Sequence, residues 1–197
     1  MRLLLAALLG LTAAASLGAQ SSHDSLAQVN AALQAGEADK ALSLLRALPP
    51  PAGISAEAHN LHCRVLFALE QFEAANRECE QAVALDATSS NYHLWYGRTL
   101  GEVADRANFL SAYNMAKRAR AEFEQAVELN PRNAEALADL GEFYSSAPGV
   151  VGGGADKAQG VAAKLDNIDP ARAHELESGF AISDDIIRHL LIRKDEE

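Results

Sequence analysis

Hydrophobic positions fall into two patterns along the chain. Residues 3–11 form an apolar run interrupted only by Gly10. The run follows the positive charge of Arg2 and leads into Ala13, Ala14, Ala15, Ser16, Gly18 and Ala19. Charged, then apolar, then small is the order of a secretory signal peptide, and cleavage is expected after Ala19, with Ala15 as the alternative. Residues 3–19 lie at the bottom of the spanning range, so an uncleaved anchor is the other reading. From residue 24 onward apolar residues return at helical spacing.

Within this second pattern small residues recur on a fixed frame. Val29, Cys63, Gly97 and Gly141 are small slots in first helices, and Ala41, Ala75, Ala119 and Ala158 are slots in second helices. Gly53, Ala87, Pro131 and Pro170 close the units. Each alanine lies 12 residues before its terminal slot, and each terminal slot lies 10 before the next small slot. Only the separation between small slot and alanine varies, at 12, 12, 22 and 17. The frame therefore predicts four helix pairs, with ten extra residues in the third and five in the fourth.

The segments "HLWYGRTL" at 93–100 and "LADLGEFY" at 137–144, with the Pro131 and Pro170 ends, resemble the tetratricopeptide repeat (TPR). The resemblance implies an all-α, TPR-like helix-turn-helix superhelix of about four helix pairs with a C-terminal capping helix. The expected organisation is a signal peptide over 1–19 and a repeat domain over 20–170, with units at about 24–53, 54–87, 88–131 and 132–170. A capping helix and acidic tail would occupy 171–197. Pro170 after Asp169 can start a helix, and Ile186, Ile187, Leu190 and Leu191 share one face of a later segment. The third unit predicts a lengthened second helix over about 110–129. With Trp95, Tyr96, Gly97, Phe123, Ala126 and residues 128–131 ("ELNP"), it resembles the regulator-of-microtubule-dynamics family of TPR proteins. An exported chain would not meet tubulin, so no microtubule role is carried over.

Composition sharpens this picture. Forty alanines make up about a fifth of the 197 residues, while aromatics are 6%. Alanine is the best helix former and is depleted in strands, which disfavours a β-sandwich. A net charge of −10 speaks against nucleic-acid binding by bulk positive charge. Two cysteines are too few for a disulfide-rich mini-protein. Nothing after the leader is long and apolar enough to span a bilayer, so no membrane span is expected once the leader is cleaved. The expected location is periplasmic or secreted.

Candidate chemistry is sparse. Cys63 and Cys79 stand 7 and 8 residues from a turn near Glu70 and Gln71, at nearly equal height on facing helices. A disulfide and a pair of buried thiols both remain open, because helix axes 8–10 Å apart often leave Cα atoms too distant to bridge. His59, His62 and Cys63, with His93 in the next unit, imitate metal-ligand spacing, but His59 and His93 fall on interior slots. No metal, cofactor or catalytic group is expected, since no nucleophile or zincin motif is present. Gly152, Gly153 and Gly154 predict a loop inside the fourth unit.

The TPR resemblance implies a concave surface lined by first helices. The frame puts Asn60, Arg64, Phe67, Asn91, Leu94, Arg98 and Glu102 there, with Arg64 and Arg98 on equivalent slots. Those arginines would either grip a partner's carboxylate or pair with the protein's own acids. The expected function is a non-catalytic scaffold or adaptor that binds another protein or a peptide. The alternative is a ligand-binding or accessory component of an envelope transport system, with a small-molecule pocket roofed by the 152–154 loop.

Overall fold

A computed structural model describes residues 23–50 and 52–180. The proposed signal peptide and the apolar segment after Ser183 lie outside the described residues. Those described are helical throughout, with no strand among them. They form α1 (23–34), α2 (Ala38–Arg46), α3 (Ala56–Ala68), α4 (Phe72–Leu85), α5 (Ser90–Asp105), α6 (Phe109–Leu129), α7 (Ala134–Ser146), α8 (Ala155–Asp166) and α9 (170–180). No described helix is long and apolar enough to cross a membrane. The helices divide into two compact units, one ending at Ala87 and one beginning at Thr88.

The helix ends follow from local chemistry. Ser55, Asn108, Asn133 and Asp169 each accept a hydrogen bond from the backbone N–H three residues on, at 3.1–3.2 Å. These side chains satisfy donors that the first helical turn cannot pair internally. Two first helices end in a left-handed residue, Gly36 with φ 75° and Glu70 with φ 57°. Each is followed by an N–H that reaches back five residues, from Glu37 to Ala32 and from Gln71 to Leu66, both at 2.9 Å.

The first unit holds α1 to α4. Leu26, Val29 and Ala32 of α1 share a core with Ala41, Leu42 and Leu45 of α2 and with Ala58, Leu61 and Val65 of α3. The second unit holds α5 to α9, in which α5 packs chiefly on α6 and α7 on α8. The frame of small slots is buried: Val29 and Cys63 are fully enclosed, and the four slot alanines are at most 1% exposed. Small side chains at these positions let paired helices approach closely.

One contact site per pair then differs in chemistry. It joins the small slot to the residue four beyond the slot alanine. In α3 and α4 these residues are Cys63 and Cys79, joined by a disulfide with Cα atoms 5.3 Å apart. In α5 and α6 they are Gly97 and Phe123, and a Cβ on Gly97 would stand 2.6 Å from Phe123 Cε1. In α1 and α2, Val29 and Leu45 both join the core cluster. In α7 and α8 the second residue is only Ala162, and Leu176 of α9 comes in instead, 2.5 Å from where a Gly141 Cβ would lie. The helix begun by Asp169 and Pro170 thus completes the last pair.

The ten-residue insertion is an extension of a hairpin. Helix α5 has 16 residues against 13 in α3, and α6 has 21 against 14 in α4. The five-residue insertion forms a turn over Gly149–Val151 with Val151 buried. Gly152 there has φ 101°, and the Arg120 side chain lies where a Cβ would go, so only glycine fits.

Candidate functional site

The residues assigned to a binding surface fall into three groups. Asn60 and Leu94, at 5% and 0% exposure, point inward. This corrects the expectation that they face a groove. Both stand three residues before a small slot, and residues three apart share a helix face, so they lie on the packed side with Cys63 and Gly97.

Arg98 is held by the protein's own acids. Its Nε donates to Asp139 Oδ2 at 2.5 Å and one Nη donates to Glu135 Oε2 at 3.1 Å, both on α7. The guanidinium also lies 4.5 Å from the Trp95 ring centroid, a cation–π arrangement. Burial works to lower the Arg98 pKa, but Asp139 and then Glu135 outweigh it and raise the value. Of the two readings open for this residue, pairing within the chain is the one observed.

The remaining positions are more accessible. Asn91 is exposed and accepts from Asn133 Nδ2 at 3.4 Å. Glu102 pairs with Arg106 at 2.9 Å, one turn along α5. Arg64 and Phe67 are half-buried, and Phe67 meets the Phe72 ring edge-on at 5.2 Å.

Two pairings were missed from sequence. His59 Nδ1 lies 2.7 Å from Glu78 Oε2, and His93 Nδ1 lies 2.6 Å from Glu122 Oε2. The two sets occupy the same frame positions, four before a small slot and three after a slot alanine. His62 adds a second contact to Glu78 at 3.4 Å. Hydrogen bonding from His62 lowers the Glu78 pKa most; burial opposes it and His59 adds to it, leaving the carboxyl at about 2. The signal was available, because each glutamate follows its slot alanine by three residues. In the same way Tyr144 donates to Glu124 at 2.7 Å, and burial first, then Glu124, pushes its hydroxyl up to about 12.

Among the described residues no group of three or more His, Cys, Asp or Glu side chains is arranged to hold a metal ion. A cleft of about 390 Å³ lies between α7 and α9, lined by Ser145, Ser146, Arg172, Glu175 and Phe180 among others. The 152–154 glycines do not line it.

Solved structures decide the fold. TTC0263, a thermophilic TPR protein of Thermus thermophilus, superposes with a TM-score of 0.68 at 17% identity, over 80% of this chain and 82% of its own. The fold is that of a TPR protein. Two structures of MamA are also similar, with TM-scores of 0.57 and 0.55 at 16% and 19% identity. They match over 81% and 85% of this chain, and 79% and 94% of theirs. No protein-family profile matches the sequence, and no curated protein does. The TPR architecture is therefore legible in three dimensions and in the frame of small slots at identities below 20%.

Proposed function

We propose that this protein is an exported, non-catalytic TPR scaffold that binds another protein or a peptide. The observation that carries this reading is the TPR fold itself, because repeat folds of this kind serve as binding surfaces. The absence of a nucleophile motif in the sequence supports a binding role. Export is supported by the charged, apolar and small order of residues 2–19 and by the Cys63–Cys79 bond, since disulfides persist in oxidising compartments. The candidate partner contacts that remain are Arg64 and Phe67 in the first unit and, separately, Asn91 and Glu102 in the second; Asn60 and Leu94 drop out as packing residues, and Arg98 as an internal ion pair.

The test is cross-linking and affinity purification of the tagged protein from its own envelope, compared with Arg64→Ala/Phe67→Ala/Asn91→Ala. The reading expects a stoichiometric protein partner that the triple variant loses while its helical content is unchanged. Equal recovery with both forms would remove these contacts, and a small molecule in place of a protein would favour the transport-accessory reading.

A further inference from the structure

The extended α5–α6 hairpin ends in two exposed apolar side chains. Phe109 is 89% exposed and Leu110 is 69% exposed, side by side at the start of α6. They stand out because single exposed apolar residues are ordinary, whereas an adjacent Phe-Leu pair at the tip of a lengthened hairpin is a concentrated apolar surface.

Charge around this tip runs opposite to that of the chain. Residues 102–120, which include the last turn of α5, carry four basic side chains and two acids, Glu102 and Asp105, for a net +2, while the rest of the chain carries a net −12. Arg106 shares its charge with Glu102 at 2.9 Å, and Arg120 lies 3.6 Å from Glu124. Lys117 and Arg118 are exposed on the α6 face that starts at the tip, and Arg118 donates to the Tyr96 hydroxyl. Steps of four residues link Phe109 to Tyr113 and Lys117, and Leu110 to Asn114 and Arg118. Lys117 lies over the Tyr113 ring at 5.5 Å, and Arg118 over the Tyr96 ring at 5.2 Å. The cations stand eight residues from the apolar pair, about 12 Å along the helix.

We infer that this hairpin tip docks onto an anionic membrane surface. An apolar end followed by an aromatic and then by cations matches the depth profile of a bilayer interface. Apolar side chains enter the headgroup–acyl boundary by about 5–10 Å, aromatic rings sit at the interface, and Lys and Arg meet anionic headgroups. A bilayer accepts a protruding Phe-Leu pair without a shape-matched pocket, whereas a stable protein interface needs about 800 Å² on each partner. The inference rests on these residues and not on the compartment proposed above.

The test uses the full chain carrying Phe109→Trp with brominated-lipid vesicles, the unsubstituted chain giving the baseline from Trp95. Vesicles of phosphatidylcholine with about one-third phosphatidylglycerol should quench the indole introduced at position 109. Adding Lys117→Glu should weaken vesicle affinity at least about fivefold, the factor expected per cation near an anionic surface, and salt should weaken it further. Three results would overturn the inference: no quenching on the anionic vesicles, equal quenching on pure phosphatidylcholine, or protection of the tip by self-association without quenching. An exposed-site control, Ile54→Trp, should show no anion-dependent quenching, and its showing the same response would likewise overturn the assignment to the tip.

Discussion

Gly97 and Gly101 lie one turn apart on α5, and the structure assigns them opposite responses to the same substitution. Alanine at 101 meets nothing within 4 Å, so it should gain only the helix propensity that glycine lacks. That gain is about 0.5–1 kcal/mol. Alanine at 97 would put its Cβ 2.6 Å from Phe123 Cε1 and 2.7 Å from Cδ1, where ordinary contact begins near 3.4 Å. The ring would have to retreat by most of an ångström. It is a stiff side chain only 7% exposed, with Phe143 6.4 Å away centroid to centroid, so little space receives it. Overpacking of this kind costs about 1–3 kcal/mol, more than the propensity gain. Urea unfolding followed by circular dichroism should place Gly97→Ala below the parent and Gly101→Ala above it. With Phe123→Ala also present, the penalty at 97 should vanish, giving a coupling energy of about 1–3 kcal/mol. Gly141→Ala should fall between the two, because the clashing atom there is the terminal Cδ2 of Leu176. Equal stabilisation at 97 and 101, or no coupling to Phe123, would refute the close helix contact.

Cys63→Ala/Cys79→Ala should lose about 3 kcal/mol, the value expected for closing a loop of this length; the bond spans a sequence separation of 16, and urea midpoints with and without reductant give the comparison. Glu78 has its pKa lowered from 4.5 to about 2, so its contribution is present above pH 4.5 and lost as pH falls toward 2. With its side chain 25% exposed, that contribution is on the order of 2 kcal/mol after solvent screening. The stability gap between parent and Glu78→Gln should therefore close between pH 4.5 and 2, and a gap that stays constant would refute the pairing. Glu70→Gly should stabilise by about 1 kcal/mol, because Glu70 holds the left-handed conformation that Gly36 holds in the preceding pair, and a thermal melt reads the gain.

Much of the fold was legible because close helix packing constrains residue size at fixed intervals. The slot alanines and the lengthened α6 came from counting, and each is buried or placed where the frame put it. Periodicity gives height along a helix but not distance across a pair. That is why Cys63 and Cys79 could not be assigned as bonded or separate until the approach at the small slots was known. It also misassigned Asn60 and Leu94: the repeat position was identified, but the side of the helix was not. A count of three back from Cys63 and Gly97 would have placed them inside. The Arg98 clamp had little periodic signal: Glu135 has a counterpart in Glu57, six residues before a small slot, but Asp139 has no acidic counterpart two residues before the other small slots. The histidine–glutamate pairs carried a signal that the ten-residue insertion disguised, at separations of 19 and 29 residues.

The central proposal is an exported scaffold that carries a protein or peptide partner. A native mass spectrum of the protein taken from its own envelope tests it in one reading. The account predicts a chain beginning at Gln20, two hydrogens lighter than the fully reduced form, with a protein or peptide bound in defined stoichiometry. A chain still beginning at Met1 with both thiols reduced, or one carrying only a small molecule, would contradict it.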